Sequence, residues 1–204
     1  FQRLHRKVGP LLLDLSKQRL NGDTLDRLTA LADASDLRGW IDRMFAGEPI
    51  NCTENRAAMH WALRAPEDSS VATPEVLAAV HGELARMARI VDKLHAGQWR
   101  GFTGEVITDV VNIGVGGSDL GPLMVSRALE DFAAPTPQGL QVHFVSSMDG
   151  SQVAHLLRQL RPQTTLFIIS SKSFTTVDTL YNAETARTWM QRALGEDEAV
   201  VRCH

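Results

Sequence analysis

The stretch "SSKSFTTVDT", Ser170 to Thr179, holds more hydroxyls than a helix cap requires. One side-chain oxygen suffices to cap a helix, yet Ser171, Ser173, Thr175 and Thr176 offer four, with Lys172 among them. The spacing from Thr175 to Asp178 is that of a capping box at a helix start. A solvated, capped loop draws on the same residue types. Short donors, a helix N-terminus and no carboxylate before Asp178 are also what a phosphate monoester needs. The surplus of hydroxyls therefore favours anion binding over a plain cap.

A second segment, "NIGVGGSDLGPLM" from Asn112 to Met124, crowds glycines where an apolar strand gives way to a helix. Glycine weakens both elements, so the crowding has a geometric reason: a tight turn, or close approach of a ligand to the backbone. Both stand open on these residues alone. The dinucleotide fingerprint fails, because Asp119 stands where its last glycine belongs, and the P-loop fails, because Pro122 and Leu123 follow Gly121. What remains is GxGGS, with Ser118 placed to cap a helix whose first turn holds Pro122. Bare backbone at Gly116 and Gly117 and a hydroxyl at Ser118 make a concave donor site.

Both segments need elements to hold them. Up to about Gly101 the apolar pattern is helical and predicts no strand. Asn21 and Gly22 break one helix, with Asp23 or Thr24 to cap the next, and Thr53 is placed to cap a helix carrying Ala57, Ala58, Trp61 and Ala62. The clearest helix starts at Thr73 and Pro74 and closes at Gly97, with Val76, Val80, Leu84, Met87, Val91 and Leu94 as a core-facing stripe. After Gly101 the pattern alternates. Strands are predicted at 106–115, 142–146 and 164–169, each followed by a helix, and Val200-Val201 would open a fourth. Such alternation predicts an α/β fold: a doubly wound parallel sheet in αβα layers, over residues 101–204, preceded by a helical region over 1–100 that packs on it. Ligands of such sheets sit outside the carboxyl ends of the strands, where both unusual loops fall. One ligand touching both would have the size and polarity of a sugar phosphate.

The bulk composition narrows the partners. The 204 residues carry a net charge of −3, with 44% apolar and 22% charged residues, which fits a globular chain and disfavours nucleic acid as a partner. No apolar run approaches the ~20 residues of a membrane span. Cys52 and Cys203 lie far apart and the histidines are scattered singly, so neither a metal site nor a disulfide framework is expected, and no cofactor is called for. The start at Phe1 and the break after "EAVVRCH" suggest a piece of a longer chain.

"TDVVNIGVGGSDLGPLMV" and "TTLFIISSKSFTTVDT", in this order and spacing, closely resemble the phosphoglucose isomerases, and "NCTENRAAMHWALR" is similar to that family's helical N-terminal stretch. The resemblance covers essentially the whole chain but less than half of a family member. It implies sugar-isomerase α/β domains, of which this would be the first, and a cytoplasmic homodimer of glycolysis and gluconeogenesis interconverting glucose 6-phosphate and fructose 6-phosphate. By position, Gly117 and Ser118 would line the sugar site, while Ser171, Lys172, Ser173 and Thr176 would hold the phosphate, with Phe174 and Thr175 completing the loop. Inorganic phosphate or sulfate would compete there. The Lys172 position is expected to offer its backbone N–H. Ser173 replaces a usual threonine, and Val177 and Asp178 replace a common Gln-Glu pair.

The family's glutamate base, partner-subunit histidine, arginine and C-terminal lysine would all lie beyond His204, so no catalytic acid or base is assigned within this chain. His155 and Glu184 are set aside as surface or core residues. The contrasting expectation is a binding module of the same domain type that senses sugar phosphates without turnover.

Overall fold

The computed structural model describes residues 4–204. They divide into two compact units, one up to Ala85 and one from Arg86 to His204.

The first unit opens on a hairpin where sequence reasoning expected no strand. β1 (His5–Val8) and β2 (Leu11–Asp14) pair antiparallel, with His5 opposite Asp14. The joining Gly9-Pro10 explains the correction: Gly9 takes φ +56°, a left-handed turn that reverses the chain before Leu11. The leucines of "LLLD" read as helix formers, but pairing across so short a loop overrides that propensity. α1 (Gly22–Ala34) follows, capped by Asn21 rather than by Asp23 or Thr24. Asn21 Oδ1 accepts from Thr24 N–H at 2.8 Å, and the Thr24 hydroxyl closes the box. α2 (Leu37–Phe45) is next. The helix expected after Thr53 is absent: the Thr53 hydroxyl donates to Asn51 Oδ1 at 2.8 Å, Asn55 turns left-handed, and a single 3-10 turn spans His60–Arg64.

α3 (Pro74–His95) begins and ends as the residues predict, with Val76 N–H donating to Thr73 Oγ1 and Gly97 left-handed at its close. Its stripe is less buried than the periodicity implies. Leu94 is buried and Val76 and Val80 are half-buried, whereas Leu84, Met87 and Val91 are exposed.

The second unit holds the sheet. In chain order come β3 (Asp109–Gly114), α4 (Leu120–Ala128), β4 (Gln141–Val145), α5 (Gly150–Leu157), β5 (Thr165–Ser170), α6 (Val177–Leu194) and α7 (Glu198–Cys203). The three strands pair parallel in the order β4-β3-β5, and they bear out the α/β expectation. Their residues alternate between two apolar clusters. Val111, Ile113 and Val145 pack with Val153 and Leu157 of α5 and Ala186 of α6. Val110 and Leu166 pack with Ile107 and Leu94.

The predicted fourth strand is instead α7. Asp197 Oδ1 caps it, accepting from Ala199 N–H at 2.8 Å, and Glu198 pairs with Arg202 one turn on at 2.9 Å. These local contacts outweigh the β preference of Val200 and Val201, and Val200 is fully buried. The outer edge of β5 is met by His204: its carbonyl accepts from Phe167 N–H at 2.7 Å, and its ring spans Thr165 O and Phe102 N–H.

Candidate functional site at the carboxyl edge of the sheet

Strand order decides where a ligand fits. β3 is central; the chain leaves it through α4 to β4 on one side, then crosses through α5 to β5 on the other. Connections running in opposite directions leave a crevice outside the carboxyl ends of β3 and β5, the switch point of an open parallel sheet. The two segments singled out for their chemistry flank it. Gly114 and Ser170, the last residues of β3 and β5, are register partners.

The β3 loop folds back on its own strand. A Cβ on Gly114 would lie 2.7 Å from the Ser118 carbonyl oxygen, so only glycine permits that return. Gly116 takes φ +60° in a 3-10 turn over Gly116–Ser118, and both Gly116 and Gly117 are exposed with nothing against them. Ser118 does not cap α4. The cap position falls to Asp119, whose side chain makes no capping bond, because the extra 3-10 turn shifts the helix start by one residue. Asp119 is buried and its Oδ1 has no partner within the protein.

The β5 loop keeps its hydroxyls together. Phe174 N–H donates to Ser171 Oγ at 3.1 Å, Ser173 Oγ lies 2.7 Å from Thr175 Oγ1, and Ser171 Oγ lies 3.4 Å from Thr176 Oγ1. Phe174 is left-handed at φ +53° with its ring exposed, a costly conformation for a bulky residue, and of the kind that concentrates at ligand-binding turns. Thr176, not Thr175, occupies the cap position of α6, and its side chain makes no capping bond, so the predicted capping box does not form. The first-turn N–H groups of α6 therefore have no side-chain cap, and Thr179 Oγ1, buried in that turn, has no partner within the protein. Lys172 is exposed.

Gly117 and Ser118 thus stand on one side of the crevice and Ser171 to Thr176 on the other. His155 and Glu184 lie away from it on α5 and α6, His155 bonded to Gln159 at 2.7 Å. A groove of about 610 Å³ between α5 and α6, lined by Leu157, Tyr181 and Trp189, includes no residue of either loop. Among the described residues no group of three His, Cys, Asp or Glu converges as metal ligands would, and no helix is long and apolar enough to cross a membrane.

Sequence reasoning passed over Asn112, Ser170, Asp119 and Thr179, which lie directly beneath the two loops. Asn112 carried a visible signal: it is the polar interruption of the apolar run "VVNIG".

A parallel αβα sheet with donor-rich loops at its switch point is the architecture of the sugar-isomerase α/β domain. The chain belongs to the phosphoglucose isomerase family, which matches residues 14–204. It is 59% identical over 204 residues to a glucose-6-phosphate isomerase of Acinetobacter venetianus, covering all of this chain and 37% of that protein. To glucose-6-phosphate isomerase 2 of Chromohalobacter salexigens it is 50% identical over 211 residues, 99% of this chain and 38% of the relative. The crystal structure of a glucose-6-phosphate isomerase from Chlamydia trachomatis superposes on 94% of this chain and 36% of its own, with a TM-score of 0.72 at 25% identity. The chain therefore spans well under half the length of these relatives.

Proposed function

We propose that this chain is the sugar-phosphate-binding part of an enzyme that interconverts glucose 6-phosphate and fructose 6-phosphate. The observation that carries the reading is the pairing of Gly114 with Ser170 at the switch point, which sets a glycine-bare loop beside a hydroxyl-rich one. Family membership gives that geometry its substrate class. Ser171, Ser173 and Thr176, with the N–H groups of Lys172 and the α6 start, hold the phosphate; Phe174 and Thr175 shape the loop; Gly117 and Ser118 face the sugar. The orphaned oxygens of Asp119 and Thr179 support it, because buried polar atoms without partners mark places completed by something else.

Isomerisation moves a proton between C1 and C2, and a base must come within about 3 Å of those hydrogens. No side chain of this chain is assigned that task. The acid–base groups belong to the remaining length of the protein, which acts as a cytoplasmic homodimer, and residues 101–204 serve as its first sugar-isomerase domain, with 1–100 as a mixed hairpin-and-helix N-terminal region. Acid–base catalysis contributes about 10²–10⁴ in rate, so the 204-residue chain alone should bind but not turn over.

A coupled assay on the full-length protein and on this chain separately tests the reading. Turnover by the first and binding without turnover by the second is the expected pair of results. Full-length protein that binds sugar phosphate without converting it would instead be a sensor. Near-normal turnover by the chain alone would place the base within these residues.

A further inference from the structure

Asn112 sits in the middle of the central strand, a residue only 8% exposed, and its amide is divided between two loops. Nδ2 donates to the Ser118 carbonyl at 3.0 Å, at the end of the sugar-side loop. Oδ1 accepts from Ser170 Oγ at 2.7 Å, one residue before Ser171 opens the phosphate loop. The register makes this reach natural: Asn112 pairs with Ile168, so Ser170 lies two residues further along β5 on the same face. Beyond the strand ladder itself, no other side-chain hydrogen bond among those of the described residues links 114–118 with 170–176.

We propose that Asn112 is a positioning residue that sets the distance between the sugar-side loop and the phosphate loop, and so selects sugar phosphates over free phosphate. The proposal rests on the functional reading above. A planar amide bonded at both ends is a rigid spacer, and a hydrophobic replacement removes both bonds at once while leaving the Ser118 carbonyl without this donor. A ligand that spans both loops depends on that spacing, whereas inorganic phosphate, held by one loop, does not. The effect on binding is therefore a ratio, which general loosening of the fold does not produce.

In the full-length protein, Asn112→Ala should weaken glucose 6-phosphate binding roughly 10-fold while inorganic phosphate stays within about twofold. Ser170→Ala, which removes one of the two bonds, should give a smaller loss of the same kind, and the double variant should lose less than the two losses combined, because the residues share a contact. Amide hydrogen exchange in the ligand-free protein reads the link without substrate: Asn112→Ala should speed exchange in 114–118 and 171–174 together. Equal loss for both ligands, or no loss for either, overturns the proposal, as does faster exchange in one loop only. Should Asn112→Ala fail to fold, Ser170→Ala carries the same comparison. Wild-type protein that binds phosphate but no sugar phosphate sinks the functional reading and this proposal with it, whereas normal wild-type binding with an unchanged ratio in the variants sinks the proposal alone.

Discussion

Three loops leave the carboxyl edge of one sheet, and they differ in where their hydrogen bonds go. After β4 side chains take up four backbone N–H groups. Ser146 and Ser147 N–H both donate to Gln152 Oε1, at 3.1 and 2.9 Å, Asp149 N–H donates to Ser147 Oγ, and Ser151 N–H donates to Asp149 Oδ1 at 2.9 Å. Asn182 of α6 reaches across to the Ser147 carbonyl at 2.8 Å. After β3 and β5 the helices begin with no side chain on their first N–H groups. "SSMDG" and "SSKSFTT" look alike in composition, yet one is closed and the other open. The difference is a carboxylate: Asp149 fills the place at the start of α5 that an anion would need, and the Ser151 N–H it accepts keeps its carboxyl below the ordinary value. A loop that supplies its own anion is structural; one that leaves the place empty is available to a ligand.

Closing the open loop is the severest way to break this contrast. Thr176→Asp would give α6 the cap that α5 has. In the full-length protein it should cut sugar-phosphate affinity more than about 100-fold by charge repulsion, while raising thermal stability by about 1 kcal/mol, a pair of opposite effects that calorimetric titration and thermal unfolding would record. Removing single donors should act more gently. Ser171→Ala or Thr176→Val should weaken glucose 6-phosphate binding roughly 10- to 100-fold, since a hydrogen bond to a charged group contributes about 1.5–3 kcal/mol. Unchanged affinity in titration would make the β5 loop a cap and nothing more.

The closed loop should answer in stability instead. Gln152→Ala removes the shared acceptor of two exposed bonds, those from the Ser146 and Ser147 N–H groups, so unfolding in urea should show a loss of about 0.5–1.5 kcal/mol, with phosphate affinity within about twofold. The smallest effect concerns the far edge of β5. Burial holds the His204 imidazole below its ordinary pKa, partly offset by its bond to Thr165 O. Its Nε2 accepts from Phe102 N–H at 2.7 Å, so Nδ1 carries the proton and the ring is neutral. The unfolded chain takes up a proton near pH 6.5 and the folded one only at lower pH, so this stabilisation is present above about pH 6.5 and is lost as pH falls through the folded value. The urea midpoint of the 204-residue chain should drop between pH 7.5 and pH 5.5, and His204→Gln should flatten that part of the profile.

Much of the chain from Pro74 onward was legible in advance because its signals are local. Strand–helix alternation after Gly101, Pro74 and Gly97 bounding α3, and the surplus of hydroxyls after Ser170 all act between near neighbours. The errors came where two local preferences competed. Leu11 to Leu13 are helix formers caught in a hairpin by Gly9, Val200 and Val201 are strand formers caught in α7 by the Asp197 cap, and Ser118 lost the cap of α4 to a 3-10 turn.

The family, the α/β class and the two chemistry-bearing loops were determined by the sequence itself, since each is written in contiguous residues. The order β4-β3-β5 was decided only by the tertiary structure. From that order follow the switch point, the pairing of Gly114 with Ser170, and the reach of Asn112 to residues 6 and 58 positions away. Strand order is chosen by which faces of the sheet the crossover helices can bury together. That is a balance over the whole unit, and no short stretch of residues contains it.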